Sequence, residues 1–256
     1  MRPPAAVLLD LDGTVYEEAA LIPGAPEAIA RLRAAGVRVR FVTNTTRLPR
    51  SALRDKLVAF GIPADVADVQ TAPAAAAGWL RHGGIRRIAL YVAEATREDF
   101  EGFALDDAAP EGVVIGDLGA DWTYQRLNGA FRQVLGGARL IALQRNRYWQ
   151  TAGGLALDAG PFVAALEYAT GTPATLVGKP SRPFFEAAVL ALGCAPGDVV
   201  AVGDDVTTDV VGARGIGCRG VLVRTGKYRA GDEAASDARP DAVVDSVADL
   251  PGLFEI

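Results

Sequence analysis

One histidine, two cysteines and three lysines are all that this chain of 256 residues contains of those three types, whereas it has 23 arginines. A single histidine, His82, excludes a histidine-rich zinc site. The chain also lacks the G-x-S-x-G turn of serine hydrolases, so Ser-His-Asp chemistry is not expected. Cys194 and Cys218 form no motif, and we predict two buried free thiols rather than a disulfide, as is typical of a reducing cytoplasm.

Long apolar runs and blocks of basic residues are also missing. No run approaches the roughly 20 apolar residues that cross a membrane, and the first residues do not resemble a signal peptide. The net charge is −5, and the 26 basic residues are dispersed, which argues against nucleic-acid binding. Because half of the residues are hydrophobic, we expect a cytoplasmic globular protein of one or two domains that binds neither membrane nor nucleic acid.

Strand and helix patterns alternate along the chain. The first 71 residues predict the strands AAVLLDL, VRVRFVTN and DVQT, separated by the helices PEAIARLRAAG and RSALRDKLVAFG. Such alternation predicts a parallel sheet covered by helices. After a Gly-Gly break the alternation starts again, and the first pattern resumes with the strand ATLVG. We therefore expect an α/β fold with a Rossmann-like core, residues 1–82 and 173–256, and an inserted α/β domain, residues 83–172.

Polar motifs stand at, or just beyond, the ends of four predicted strands: Asp10-Leu11-Asp12-Gly13-Thr14, Phe41-Val42-Thr43-Asn44, Gly178-Lys179-Pro180, and Val202-Gly203-Asp204-Asp205 with Asp209. Open α/β sheets bind their ligands at the carboxyl ends of the strands. Each motif alone has an ordinary explanation, such as a solvated turn, a surface lysine or a helix N-cap. Their succession on separate strands favours a single site. The later stretch RTGKY lacks the glycine spacing of a P-loop, so we assign it no phosphate site.

Carboxylates crowded at one edge of a sheet repel each other and require a compensating charge. Mg²⁺ fits, because it takes oxygen ligands and is usually held by one or two carboxylates together with a substrate phosphate. One aspartate oxygen can then attack phosphorus and form an aspartyl-phosphate. A second carboxyl two residues further on can protonate the leaving oxygen and later activate water. The expected donors to the phosphoryl oxygens are Thr43, Lys179 and backbone N–H groups.

The four motifs resemble, in this order, those of the haloacid dehalogenase (HAD) superfamily of phosphatases. The block between the second and third motifs resembles the larger α/β cap of the NagD-like branch. The segments GPFVAALEYATG, VGKP and VRTGKYRAGDE are most similar to the subgroup that holds phospholysine phosphohistidine inorganic pyrophosphate phosphatase and the HAD-like domain-containing proteins. This resemblance covers essentially the whole chain, and it implies a HAD catalytic core with an inserted α/β cap.

The resemblance also implies a role for each residue of the site. Asp10 is the implied nucleophile and Asp12 the implied general acid/base. The implied Mg²⁺ ligands are oxygens of three aspartates: the carboxylates of Asp10 and Asp204 and the backbone carbonyl of Asp12. Two further carboxylates would orient the metal or its waters: Asp205 and Asp209. The implied phosphate-binding residues are Thr43, Lys179 and, through its backbone, Asn44. Some members of the subgroup carry Ser at the position of Asp12, whereas this chain has the complete catalytic set.

These residues predict a Mg²⁺-dependent phosphatase that acts on small phosphorylated metabolites through an aspartyl-phosphate. A phosphotransferase or mutase on the same core remains open, because the sequence does not show whether water is excluded from the intermediate. A third hypothesis is a non-catalytic protein that senses a phosphorylated metabolite, although the complete set of aspartates, threonine and lysine argues against it.

Substrate choice is expected to depend on the cap stretch QRNRYWQTAGGLALDAG. In this stretch Arg147, Tyr148 and Trp149 are candidates to pair with, or stack on, the leaving group. The alternative is a surface turn in which Trp149 packs on the cap. A closed cap would restrict the enzyme to small substrates, and the resemblance implies a homodimer formed through this domain.

Overall fold

The structure of the protein, a computed structural model, describes residues 1–151, 153–235 and 239–256, without the side chains of residues 149–151 and 235. The strands in chain order are β1 (Ala6–Asp10), β2 (Tyr16–Glu17), β3 (Ala20–Leu21), β4 (Arg38–Thr43), β5 (Val69–Thr71), β6 (Arg87–Tyr91), β7 (Ala104–Leu105), β8 (Gly112–Ile115), β9 (Arg139–Ala142), β10 (Tyr148–Thr151), β11 (Gly154–Leu157), β12 (Thr175–Leu176), β13 (Val199–Gly203), β14 (Arg219–Val223) and β15 (Ala242–Val244). The α-helices are α1 (Ala25–Ala34), α2 (Arg50–Ala59), α3 (Ala72–His82), α4 (Tyr124–Leu135), α5 (Ala159–Thr170), α6 (Arg182–Leu192), α7 (Gly212–Arg214), α8 (Asp232–Ala235) and α9 (Leu250–Leu253).

The chain folds into two compact units. The first contains Met1–Thr43, Arg50–Gln70 and Lys179–Ile256, and the second contains Asn44–Pro49 and Thr71–Gly178. Each unit has its own sheet with helices on it. The α/β fold class predicted from the alternation of strands and helices is confirmed. No helix of the described residues is long and apolar enough to cross a membrane.

In the first unit, the described residues form a six-stranded parallel sheet in the order β15-β14-β13-β1-β4-β5. Strands β1 and β13 lie at its centre and are buried along their whole length. This burial explains why their sequences are continuous apolar runs rather than alternating patterns. The main core of the unit combines apolar side chains of this sheet with those of its helices, among them Leu9, Leu32, Phe41, Leu53 and Phe254.

Three of the strands that carry motifs end at the same edge of this sheet because of the strand order. Strand β1 lies between β13 and β4 and is parallel to both. Asp10 is the last residue of β1, Thr43 the last of β4 and Gly203 the last of β13. Since parallel strands end at the same edge, the residues that follow them meet there.

The second unit contains a five-stranded parallel sheet, counted over the described residues, in the order β12-β9-β8-β6-β7, and a separate antiparallel hairpin, β10-β11. Helix α3 contributes Ala72, Ala76 and Leu80 to a core that also contains Ile88 and Ile141. The boundaries at residues 83 and 172 remain a prediction. The second compact unit starts earlier and ends later, because it includes α3 and β12.

Four local predictions differ from the structure. The strand of ATLVG, assigned to the core, pairs with β9 through Thr175↔Ile141 and Leu176↔Ala142. The helix expected in TREDFEGF is a 3₁₀ helix, Glu94–Phe100, and the one expected in VTTDVVGARGIG begins as a π-helix, Val206–Val211, before α7. Both cysteines are free, but Cys194 is half-buried whereas Cys218 is buried. Strand pairing and hydrogen-bond register depend on distant neighbours, so local patterns do not reveal them.

Candidate active site

Three buried carboxylates meet at the carboxyl edge of the six-stranded sheet. Asp10 ends β1, Asp204 directly follows β13, and Asp209 lies in the π-helix. The pairing of Leu9 with Val202 aligns the two strand ends. One carboxylate oxygen of each aspartate lies within 4.8 Å of those of the other two, and none of these residues is more than 7% exposed. The folded chain therefore brings together aspartates that are nearly 200 residues apart in sequence.

A buried lysine joins two of these carboxylates. The Nζ atom of Lys179 donates to Oδ1 of Asp10 and to Oδ1 of Asp209, each at 2.6 Å. Burial alone would lower the pKa of Lys179, but the charges and hydrogen bonds of the two aspartates raise it above its ordinary value. The lysine is therefore fully protonated at neutral pH, and it fixes the orientation of Asp10.

Burial is the main cause of the pKa shifts of the three aspartates. It raises the pKa of Asp204 to about 6 against an opposing hydrogen bond from the N–H of Lys227. It raises the pKa of Asp209 to about 7 although Lys179 opposes the shift. The pKa of Asp10 is also raised, by burial first, with Lys179 opposing and Asp204 reinforcing the change. One lysine thus does not neutralise the cluster, and a bound cation would favour its ionised form.

The oxygens of this cluster fit a hard divalent cation. Oδ2 of Asp204 accepts the N–H of Lys227 at 2.7 Å, whereas its Oδ1 is buried and, over the described chain, makes no hydrogen bond. A buried carboxylate oxygen without a partner is costly. Mg²⁺ is bound in proteins by such oxygens, usually together with water and substrate. The cluster of Asp10, Asp204 and Asp209 is therefore a candidate metal site.

The second acid of the first motif is solvent-accessible. Asp12 forms an isolated β-bridge with Tyr16, and its residue is exposed. Loss of surrounding water raises the pKa of Asp12, and the charges of Lys56 and Lys227 oppose that rise. Lys56 itself donates to the carbonyl of Glu18 at 2.7 Å, and its Nζ lies 3.5 Å from the centroid of the Tyr16 ring. The site thus holds an accessible carboxyl whose pKa lies above its ordinary value.

The second motif is divided between the units. Thr43 is buried, and the pairing of Asp10 with Val42 places it beside the end of β1. Asn44 groups with the second unit, where its Oδ1 would lie only 2.8 Å from a Cβ atom at Gly178. A phosphate-binding role for Asn44 therefore remains a prediction.

Asp205 caps the π-helix. Its Oδ1 accepts the N–H groups of Thr207 and Thr208 at 2.9 and 3.1 Å. Burial alone would raise the pKa of Asp205, but hydrogen bonds from these threonines bring it below the ordinary value. The ordinary explanation of this residue, an N-cap, is thus observed, and its action on a metal remains a prediction.

The predicted cap residues lie at the start of the β10-β11 hairpin. Arg147 is exposed, and Tyr148, the first residue of β10, is 56% exposed. The side chain of Trp149 lies outside the described part of the chain. A role of these residues in substrate choice remains a prediction.

Comparison with known proteins decides the family. Residues 7–106 match the family described as haloacid dehalogenase-like hydrolase, and residues 176–250 match one described as HAD-hydrolase-like. Over 235 residues the chain is 46% identical to haloacid dehalogenase-like hydrolase domain-containing protein 2 of Bos taurus, an alignment that covers 92% of this chain and 90% of that protein. The chain belongs to the haloacid dehalogenase-like hydrolase family. The family predicted from the four motifs is confirmed.

Further relatives of this HAD-like hydrolase are phosphatases by name. It is 39% identical over 255 residues to phospholysine phosphohistidine inorganic pyrophosphate phosphatase of Homo sapiens, with 97% of this chain and 93% of that protein covered. The p-nitrophenyl phosphatase from Archaeoglobus fulgidus superposes with a TM-score of 0.91 at 26% identity, covering 98% and 99% of the two chains. NagD from E. coli K-12 has the same fold, with a TM-score of 0.89 at 24% identity and 97% and 98% coverage. The fold predicted from the resemblance to the NagD-like branch is confirmed.

Two glycines let the backbone of this HAD-like hydrolase approach Asp204 closely. A Cβ atom at Gly13 would lie 2.0 Å from Oδ2 of Asp204, and one at Gly226 would lie 2.1 Å from the same atom. Both glycines also have positive φ angles, +85° and +60°, which side chains disfavour. The two loops therefore enclose one carboxylate oxygen and leave no room for any larger residue.

The turn Thr225–Lys227, part of RTGKY, belongs to this site, although the sequence analysis assigned it no phosphate site. The hydroxyl of Thr225 donates to the carbonyl of Gly13 at 2.5 Å, and the N–H of Gly226 donates to Glu17 at 2.8 Å. The turn follows β14, which neighbours β13 in the sheet. The rule that selected the other motifs, polar residues just after a parallel strand, would have found this one. Its rejection as a P-loop still holds.

Proposed function

We propose that this HAD-like hydrolase is a Mg²⁺-dependent phosphatase that hydrolyses small phosphorylated metabolites through an aspartyl-phosphate on Asp10. The observation that carries the proposal is the buried carboxylate of Asp10, held by Lys179 at 2.6 Å beside two further aspartates. This arrangement offers a nucleophile of fixed orientation in a site that can bind a divalent cation. The names of similar proteins, two of which are phosphatases, support a phosphate ester or anhydride as substrate.

The proposed ligands of Mg²⁺ are the carboxylates of Asp10 and Asp204 and the backbone carbonyl of Asp12, with Asp205 and Asp209 orienting the ion or its waters. The ion would supply positive charge to the phosphoryl oxygens. An oxygen of Asp10 attacks phosphorus while the bond from phosphorus to the leaving oxygen breaks. Asp12 gives its proton to that oxygen.

The second half of the reaction regenerates the enzyme. Asp12, now ionised, takes a proton from a water molecule that attacks the phosphorus of the aspartyl-phosphate. The bond from phosphorus to Asp10 breaks, inorganic phosphate leaves, and both aspartates return to their starting states. Thr43 and Lys179 are proposed to donate to the phosphoryl oxygens as negative charge develops on them. The raised pKa of Asp12 favours its first role as proton donor.

The experiment that tests this function measures phosphate release from p-nitrophenyl phosphate and from a panel of small phosphorylated metabolites. We expect release with Mg²⁺ and none in EDTA. Transfer of the phosphoryl group to an added alcohol, with no release to water, would replace hydrolysis by a phosphotransferase reaction. If the folded protein with Mg²⁺ binds the metabolites but neither releases nor transfers phosphate, the proposed enzymatic function would be overturned in favour of a sensor.

Removal of the metal is expected to lower stability more at high than at low pH. In the folded protein the pKa values of Asp204 and Asp209 are about 6 and about 7, against 3.8 ordinarily. The folded state therefore keeps protons that the unfolded chain has already lost, and in EDTA its free energy of unfolding falls as the pH rises from about 5 to about 8. Mg²⁺ binds the ionised carboxylates, so it restores more stability at about pH 8.

Urea unfolding at the two pH values, with EDTA or Mg²⁺, measures this dependence. Asp204→Asn is the matched variant, because it keeps the shape of the side chain but removes a proposed metal ligand. We expect it to lose most of the stabilisation by Mg²⁺. An equal stabilisation by Mg²⁺ at both pH values would contradict the raised pKa values.

Three further features are retained as proposals: a core of residues 1–82 and 173–256 with a cap of residues 83–172, a cytoplasmic location, and a homodimer formed through the cap. They rest on the sequence pattern and the resemblance. A size measurement that finds only monomer at micromolar concentration would contradict the dimer.

A further inference from the structure

All three lysines of the chain act on the same carboxyl group. The charges of Lys56, Lys227 and Lys179 each lower the pKa of Asp12, so all three lysines lie near the site. Two of them have partners in the protein. Lys179 binds Asp10 and Asp209, and Lys56 binds the Glu18 carbonyl and stacks on Tyr16.

Lys227 differs from the other two lysines. It is exposed, and its ammonium group forms no ion pair or hydrogen bond with any residue that the structure describes. Its charge nevertheless lowers the pKa of four carboxyl groups of the site: Asp10, Asp12, Asp204 and Asp205. The backbone N–H of Lys227 contacts Asp204 at 2.7 Å, so the side chain starts beside the carboxylates, and its ammonium forms no ion pair with any described one.

The backbone beneath this side chain is held firmly. The N–H of Lys227 donates to Asp204 at 2.7 Å. The guanidinium of Arg229 donates to the carbonyls of Lys227 and Tyr228 at 3.0 and 2.8 Å. Thr225 and Gly226 add hydrogen bonds to Gly13 and Glu17. The turn therefore holds the backbone of Lys227 in a fixed position. A ligand that binds the ammonium therefore has only one side chain to order, which keeps the entropic cost small.

A purely structural lysine would be expected to pair with one of the nearby carboxylates. The positive charge that holds Asp10 in place is already provided by Lys179. An ammonium without a partner among the described residues, at the rim of a proposed phosphate site, instead suits an anion that arrives with the substrate. Lysine binds such groups as a mobile point charge.

We propose that Lys227 determines specificity by binding a second anionic group of the substrate, close to the phosphoryl group that is transferred. This inference rests on the proposed phosphatase function and narrows its substrate class. The preferred substrates are small phosphate esters or anhydrides that carry a carboxylate or a second phosphoryl group near the bond that breaks.

The test compares three substrates in the full-length protein with Mg²⁺. p-Nitrophenyl phosphate has one anionic group, phosphoglycolate adds a carboxylate, and inorganic pyrophosphate adds a second phosphoryl group. In Lys227→Met we expect KM for at least one doubly anionic substrate to rise about five- to tenfold more than KM for p-nitrophenyl phosphate. The substrate that responds identifies the second group. Lys227→Arg should retain most of the preference, and added salt should weaken it in the unmodified protein.

Arg224→Met is the matched control. Arg224 is an exposed cation three residues before Lys227, and it pairs with Asp245 at 2.7 Å instead of facing the site. We expect this variant to leave the ratio of the KM values unchanged. Equal effects of Lys227→Met on all three substrates would overturn the proposal, and so would unmodified protein that prefers p-nitrophenyl phosphate over both double anions.

Binding separates this inference from the function on which it rests. If no substrate released phosphate, the proposed phosphatase function would be overturned, but the proposed anion subsite at Lys227 would not. Calorimetric binding of pyrophosphate, with Mg²⁺, to Asp10→Asn and to Asp10→Asn with Lys227→Met measures the subsite without turnover. We expect the second variant to bind pyrophosphate about five- to tenfold more weakly. Equal affinity of the two variants for pyrophosphate would overturn the proposed subsite.

Discussion

Asp10→Asn is expected to lower kcat for phosphate release by at least about 10,000-fold. The amide has almost the shape of the carboxylate but is not a nucleophile, so the aspartyl-phosphate does not form. Lys179 keeps its second partner, Asp209, at 2.6 Å, and the variant should therefore fold. Steady-state release of phosphate from the best substrate of the panel measures the loss, and mass spectrometry of the quenched reaction shows whether the chain becomes phosphorylated.

The matched control for this substitution is Asp245→Asn. Asp245 is an exposed aspartate that pairs with Arg224 outside the site, so its loss tests the effect of an Asp-to-Asn change as such. We expect full activity for this variant. If Asp10→Asn retained more than a few per cent of the activity while folded, a different group would have to attack phosphorus, and the proposed mechanism would be wrong.

Lys179→Met is expected to lower the free energy of unfolding by about 3–5 kcal/mol near pH 8 and to abolish turnover. The substitution leaves Asp10 and Asp209 buried without the cation that both contact. These carboxyls can take up protons at lower pH, and the burial that raises their pKa values favours this uptake. The loss of stability should therefore be smaller near pH 5. Urea unfolding in EDTA at both pH values measures it.

Lys227→Met is the control for stability, because its ammonium forms no hydrogen bond or ion pair with any residue that the structure describes. An exposed substitution of this kind should change the free energy of unfolding by less than about 0.5 kcal/mol. A loss for Lys179→Met that is as small as that of Lys227→Met would show that the buried ion pairs do not stabilise the fold. A large loss that does not depend on pH would point to altered packing instead of unpaired carboxylates.

Much of the site could be predicted because its residues stand in short sequence motifs at, or just after, the ends of apolar strands. Asp10 and Thr43 end apolar strands, and Asp204 directly follows one. A chain that places polar residues at the ends of several parallel strands must bring them to one edge of the sheet. The cluster of Asp10, Asp204 and Asp209 therefore follows from strand patterns and the resemblance, without knowledge of the strand order.

The residues that the sequence analysis missed are those whose meaning depends on a distant neighbour. Thr225 and Gly13 are 212 residues apart, and their contact requires β14 to lie beside β13 and β13 beside β1. Strand β12 was assigned to the wrong sheet for the same reason, since only its pairing with β9 decides its place. A local pattern identifies a strand but does not name its partner.

The sequence by itself determined the fold class, the family and the aspartates, threonine and lysine of the motifs, because strand periodicity and motif order are properties of neighbouring residues. Only the tertiary structure showed which lysines are neutralised. It joined Lys179 to two aspartates and engaged Lys56 with Glu18 and Tyr16. It placed the backbone of Lys227 on Asp204 and gave its ammonium no ion pair with a described residue. The partner of a charge is set by the three-dimensional arrangement of the strands and loops, so identical residue types acquire different roles only when the chain is folded.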